Sequence, residues 1–185
     1  MRIKTPREKK ILIVKTTVRW LLYYVLIFFA FVFMTSGTFM KPVVLIPLAL
    51  CIAVNNDRVG SAVTGAICGF LIDMSCGKLF GYNAVILTFF CIVLSLLFEL
   101  YLRHRFINIL ITVAVVSFLQ GWLDYKFYYE IWKYEDVEVI FRTVTLPVWA
   151  YTVISTVFVY LVIKLINHFL MPKEHLTLEE AIKTE

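Results

Sequence analysis

Six apolar runs separated by short polar connections decide what this chain can become: residues 20–39, 42–54, 59–74, 84–101, 106–123 and 144–165. A helix of roughly 20 apolar residues crosses a hydrocarbon core about 30 Å thick, and no soluble architecture of this size could bury so many such stretches. Of the 185 residues, 61% are hydrophobic and only 17% charged, so lipid must be the solvent for most of the surface. Sixteen Phe, ten Tyr and four Trp suit hydrocarbon and the headgroup boundary. The pattern predicts an all-α, polytopic bundle of six transmembrane helices, one membrane domain over residues 20–170. A basic cytoplasmic segment, 1–19, precedes it and a cytoplasmic tail, 171–185, follows.

Orientation follows from the basic residues. Thirteen of the 18 Lys and Arg fall on the side that holds both termini and five on the other, which predicts cytoplasmic ends in a multi-pass cell-membrane protein. The first run follows Arg2, Lys4, Arg7, Lys9, Lys10, Lys15 and Arg19 and lacks a small-residue cleavage site, so it reads as a retained signal anchor. The second and third runs, 42–54 and 59–74, are short for a full crossing. They form a hairpin around Asn55, Asn56, Asp57 and Arg58, so both cross or neither does, and the later runs keep their orientation either way. A net charge of +5 clustered beside apolar runs favours anionic lipid over nucleic acid as partner. Cys51, Cys68, Cys76 and Cys91 show no C-x-x-C spacing and read as small core residues, with no metal and no cofactor implied.

The third run carries the most specific pattern. Ser61, Gly65, Gly69 and Asp73 recur every four residues and line one stripe of a helix, with Ala62 and Ala66 beside it. Small residues at this spacing let another helix approach closely, within the chain or by self-association. Asp73 then has two readings. It acts structurally, by pairing with Lys41, Lys78 or Arg142 or by capping the turn that contains Gly77 and Gly81, or it binds a ligand or proton directly. Glu99 and Arg103 stand four residues apart in the order that favours an ion pair.

Residues 124–142 form the one long outer connection. Trp122, Tyr125, Tyr128, Tyr129 and Trp132 crowd its start, which suits either an ordinary aromatic belt or a docking surface for an extracytoplasmic partner. Thr177 and Glu180 have the spacing of a capping box and predict a short helix in the tail. His104, His168 and His175 make no H-E-x-x-H, and neither G-x-S-x-G nor a P-loop occurs, so no enzyme is expected.

The glycine run ending in Asp73 and followed by Gly77 and Gly81, together with the basic start and six-run layout, resembles the MreD family of bacterial rod-shape-determining membrane proteins. The resemblance spans roughly residues 41–122 and transfers Gly65, Gly69, Asp73 and Gly81 as elements of the family's glycine-acid segment, in a packing role. It implies a scaffold or regulatory subunit, without accepted catalytic activity, in the elongation machinery that builds lateral peptidoglycan beside MreC, the MreB filament, RodA and penicillin-binding synthases. It also implies a fold like that of the substrate-binding subunits of energy-coupling-factor vitamin transporters. Such a transporter subunit is the first rival, weakened because residues 20–39 contain only Ala30 where those subunits present an alanine-spaced motif. An intramembrane hydrolase using Asp73 and Asp124 is the second, but Asp57 falls on the opposite side and no second acidic motif follows Asp124.

Overall fold

The computed structural model describes residues 6–36, 42–77, 79–101, 106–130, 139 and 141–170, and every regular element among them is helical. Among the described residues, six α-helices run over ten residues or more: α1 (Pro6–Thr35), α2 (Leu45–Val54), α3 (Arg58–Cys76), α4 (Tyr82–Leu100), α5 (Phe106–Tyr125) and α6 (Leu146–Leu170). A π-helical turn, Lys126–Glu130, prolongs α5, and another, Phe141–Thr145, leads into α6. Pro6 and Pro47 sit in the first turns of their helices, where a missing N–H removes no intrahelical bond.

Five of the six runs form helices long and apolar enough to cross a bilayer: Ile13–Thr35, Arg58–Cys76, Tyr82–Leu100, Phe106–Tyr128 and Phe141–Leu170. Among the described residues, five of the six expected crossings thus have a helix of spanning length. The run at 42–54 yields only the ten residues of α2, about 15 Å of helix at 1.5 Å per residue. All ten are buried, enclosed by the longer helices. The run at 59–74, short by sequence, gains Arg58, Ser75 and Cys76 and becomes the 19-residue α3.

Side-chain contacts fix the direction of each helix. Arg58 at the start of α3 meets Glu99 at the end of α4 at 3.2 Å, and Gln120 late in α5 meets Asn83 early in α4. Phe106 and Phe118 of α5 meet Tyr160 and Trp149 of α6, so these two helices are also antiparallel. The Tyr23 hydroxyl donates to Asn167 near the end of α6, while Phe33 lines a cavity with Ser155 and Phe158 nearer its start. Trp20 packs on Gly60, so α1 and α3 run in the same direction and α2 must return the chain between them. It starts beside Thr152, whose Oγ1 accepts the Val43 N–H at 3.0 Å, and ends at Asn55 and Asn56 near Arg58.

One end of the bundle thus gathers Arg19, Tyr23, Asn56, Arg58, Glu99 and Asn167, and the other the turn between α3 and α4 together with Gln120 and Tyr128. The core runs along α2, and large apolar side chains such as Phe28, Phe89, Ile107 and Phe158 point outward, as lipid contact requires.

Candidate functional site

The α3–α4 hairpin is the most extensive helix pair in the structure. Ser61, Gly65, Gly69 and Asp73 are all buried along one face of α3. A Cβ on Gly65 would lie 2.9 Å from Thr88 Cα and 3.0 Å from the Leu87 carbonyl, and one on Gly69 would strike Ala84 backbone atoms. The two helices therefore meet backbone to backbone, and the contact tightens toward Asp73. At the other end of the stripe Ser61 Oγ donates to the Ala53 carbonyl at 3.0 Å and ties α3 to α2. Ser95 Oγ donates to the Asn56 carbonyl at 3.0 Å and binds α4 to the same junction.

Asp73 closes the hairpin. Its carbonyl accepts the N–H of Gly77, which ends α3 in the left-handed region at φ 61°. Its carboxylate accepts the N–H of Gly81 at 2.8 Å through Oδ2 and that of Asn83 at 3.1 Å through Oδ1. Gly81, at φ 96°, is the N-cap of α4 and has no side chain with which to cap it. The carboxylate of the preceding helix fills that role, satisfying two otherwise unpaired amides and placing negative charge at the positive end of the α4 dipole. Both glycines adopt φ values that a Cβ disfavours, so the turn depends on them as much as on the acid.

A chain of amides continues from this point. Asn83 Nδ2 donates to Asp73 Oδ1 at 2.8 Å, and Gln120 Nε2 donates to Asn83 Oδ1 at 2.7 Å. Asp73, Asn83 and Gln120 are 1%, 0% and 2% exposed, so three helices are linked by polar groups wholly inside the bundle. Asn83 was not singled out in the sequence. Its signal was an amide two residues after a turn glycine at the start of an apolar helix, a place where hydrocarbon would penalise it unless it were bonded.

Lys41 and Lys78, two of the cations considered for Asp73, lie outside the described residues. Among the described residues Asp73 forms no ion pair, and Arg142, the third candidate, is exposed. Glu99 pairs with Arg58, which joins α4 to α3, and Arg103, its expected partner, lies outside the described residues. Of the aromatic cluster, Trp122 lies under the Lys126 ammonium at 4.9 Å, Tyr125 packs edge-on against Phe141, and the Tyr128 hydroxyl accepts the Leu79 N–H at 2.9 Å. Phe127 stacks on Tyr82, so the start of the long connection is folded onto the α3–α4 turn. Trp132, the side chain of Tyr129 and the capping box at Thr177 and Glu180 lie outside the described residues.

Among the described residues no three His, Cys, Asp or Glu side chains gather as metal ligands do. The architecture defines a class: a multi-pass helical membrane protein whose buried polar groups fasten helices to one another. Within that class, the family model for the rod shape-determining protein MreD matches residues 14–169, and the chain belongs to that family. Comparisons with curated proteins and with solved structures give no match.

The chain is thus a cell shape-determining membrane protein by family. The match extends well past the 41–122 segment on which the resemblance rested, taking in α1 from residue 14 onward and α6 up to residue 169.

Proposed function

We propose that this protein is a scaffold or regulatory subunit of the bacterial cell-elongation complex, supporting lateral peptidoglycan synthesis through contacts with MreC and, through it, with MreB, RodA and penicillin-binding synthases. The observation that carries this reading is the family match across residues 14–169. The use of Asp73 supports a non-enzymatic role: both carboxylate oxygens accept N–H groups of the turn, so the acid is spent on holding α3 to α4. The Ser61–Gly65–Gly69–Asp73 stripe is then a device for rigidity, and the turn with Gly77, Gly81 and the aromatic residues Trp122, Tyr125 and Tyr128 offers a fixed surface to a partner. In this reading both termini are cytoplasmic and the Asp73 end faces outward.

The test is affinity purification of the tagged full chain from native membranes after chemical crosslinking, followed by mass spectrometry. MreC and wall synthases should be enriched over the same preparation from an unrelated multi-pass protein, and depleting the chain should turn rod-shaped cells round. Equal recovery from both preparations, with shape maintained on depletion, would overturn the proposal.

A further inference from the structure

A cavity of about 340 Å³ lies between α1, α2 and α6 and reaches along α1 from Leu26 to Phe33. At 1.5 Å per residue that stretch is about 10 Å long, and it occupies the half of the Ile13–Thr35 span nearer the Asp73 end. Its floor is Ala30 of α1, Leu48 of α2 and Val159 of α6, all buried, and its rim is Phe29, Phe33 and Phe158, all exposed. Two short side chains, Ala30 and Val159, leave the space between α1 and α6. The α2 side adds only Leu48 and two residues that lead into the helix, Pro42 and Val44.

Polar groups at this level are already bonded. Ser155 Oγ donates to the Thr152 carbonyl at 2.8 Å, the Val44 N–H goes to the Pro42 carbonyl at 3.0 Å, and Pro42 has no N–H. A water molecule needs about two to four polar partners to stay in such a space, and apolar cavities stay dry. Left empty, the cavity would lose dispersion contacts along all three helices.

The surface around the mouth decides what stands there. Phe29, Phe33 and Phe158 lie on the outward faces of helices long and apolar enough to span, so the mouth is continuous with the surface that lipid covers. None of the lining residues is charged, so the cavity suits hydrocarbon and offers nothing to a headgroup. Spread over about 10 Å, its volume gives a cross-section of roughly 30 Å², well under the roughly 80 Å² of a helix 10 Å across. A partner helix could cover the mouth but not fill the space, whereas a single flexible chain can.

From this geometry we infer that the cavity holds one acyl chain of a membrane phospholipid, from the leaflet on the Asp73 side, and that the chain packs α1 against α2 and α6. At its other end α1 is fastened directly, by Trp20 on Gly60 of α3 and by the Tyr23 hydroxyl on Asn167 of α6. The acyl chain completes the contact where the protein's own side chains fall short.

The experiment uses the full chain, purified and reconstituted in phosphatidylcholine vesicles that contain a small fraction of phosphatidylcholine with a diazirine at the end of one acyl chain. After illumination, labelled peptides are mapped by mass spectrometry. Label should concentrate on residues 26–33 and 155–162, several-fold above the exposed positions Val85 and Phe89 in the same half of α4. Ala30→Leu, which fills the space, should bring that label down to the α4 level while keeping the thermal midpoint in detergent. If Ala30→Leu does not fold, Val159→Phe is read in its place, since it fills the cavity from α6.

Equal labelling of the two regions in wild type would mean ordinary contact with bulk lipid and overturn the proposal. So would an enrichment that survives in the folded, filled variant. In native membranes, Phe33→p-benzoylphenylalanine should give a lipid adduct on illumination. An adduct to a second copy of this chain or to another protein would assign the mouth to that protein and overturn the acyl chain as occupant.

Discussion

The consequences of the α3–α4 contact are sharpest at Gly69 and Asp73. Gly69→Ala adds one methyl where Ala84 backbone already sits, and backbone cannot rotate aside as a side chain can, so the helices must separate. The expected loss is ~1–3 kcal/mol, read as a lower midpoint for thermal unfolding of the detergent-solubilised protein. Phe70→Leu, on the neighbouring face where the ring stacks on Phe80, should change the midpoint little. If the two variants unfold alike, the close approach is not what holds the hairpin. At Asp73, replacement by Ala strands the amides of Gly81 and Asn83 and the Asn83 side chain, a loss of about 2–4 kcal/mol on the scale of buried unmade bonds. Asp73→Asn should fall between, because one oxygen remains while its new N–H group faces donors. An Asn variant as stable as wild type would show that the charge at the α4 N-terminus contributes nothing.

Helix α2 obeys a different rule. Its ten residues have no lipid-facing side, and a helix apolar on every side and too short to span belongs inside a bundle. In a bilayer the unfolded reference is itself apolar, so truncating a buried Leu loses packing contacts without the transfer term that operates in water. Leu50→Ala should therefore cost about 1–3 kcal/mol, toward the low end of what soluble cores show. Leu161→Ala, at a position 57% exposed on α6, should cost far less by the same thermal assay. Equal effects would place α2 in lipid. The sequence displayed the 42–54 run as apolar and short, which is why its crossing was in doubt. It could not display the burial, because an all-round apolar decapeptide reads alike whether lipid or protein surrounds it. The stripe on α3 was legible through its period of four, but which helix it meets depends on the turn that aligns α4. Asn83 and Gln120, separated by 37 residues, could be connected only by the folded chain.

Across the bundle, the pairing of Tyr23 with Asn167 brings the start of the α1 span and the end of α6 to one side, while α1 and α3 run parallel. Five long helices alone would leave the two ends on opposite sides. The short α2, running back between α1 and α3, restores the parity, so the orientation read from Lys and Arg does not require a sixth full-length span. Cysteine accessibility offers a direct test of which side faces out. Cys76 is exposed at the Asp73 end, whereas Cys51, Cys68 and Cys91 are buried in the core. With cytoplasmic termini, a membrane-impermeant maleimide added to intact spheroplasts should label the protein at Cys76. Labelling should disappear in Cys76→Ser and rise only on denaturation, when the three core thiols are released. Labelling confined to inverted vesicles would reverse the orientation, carrying the Arg19 end outside and the α3–α4 turn into the cytoplasm. Because burial keeps the other three thiols from reagent on either side, the single exposed cysteine reports orientation without any cysteine-free background.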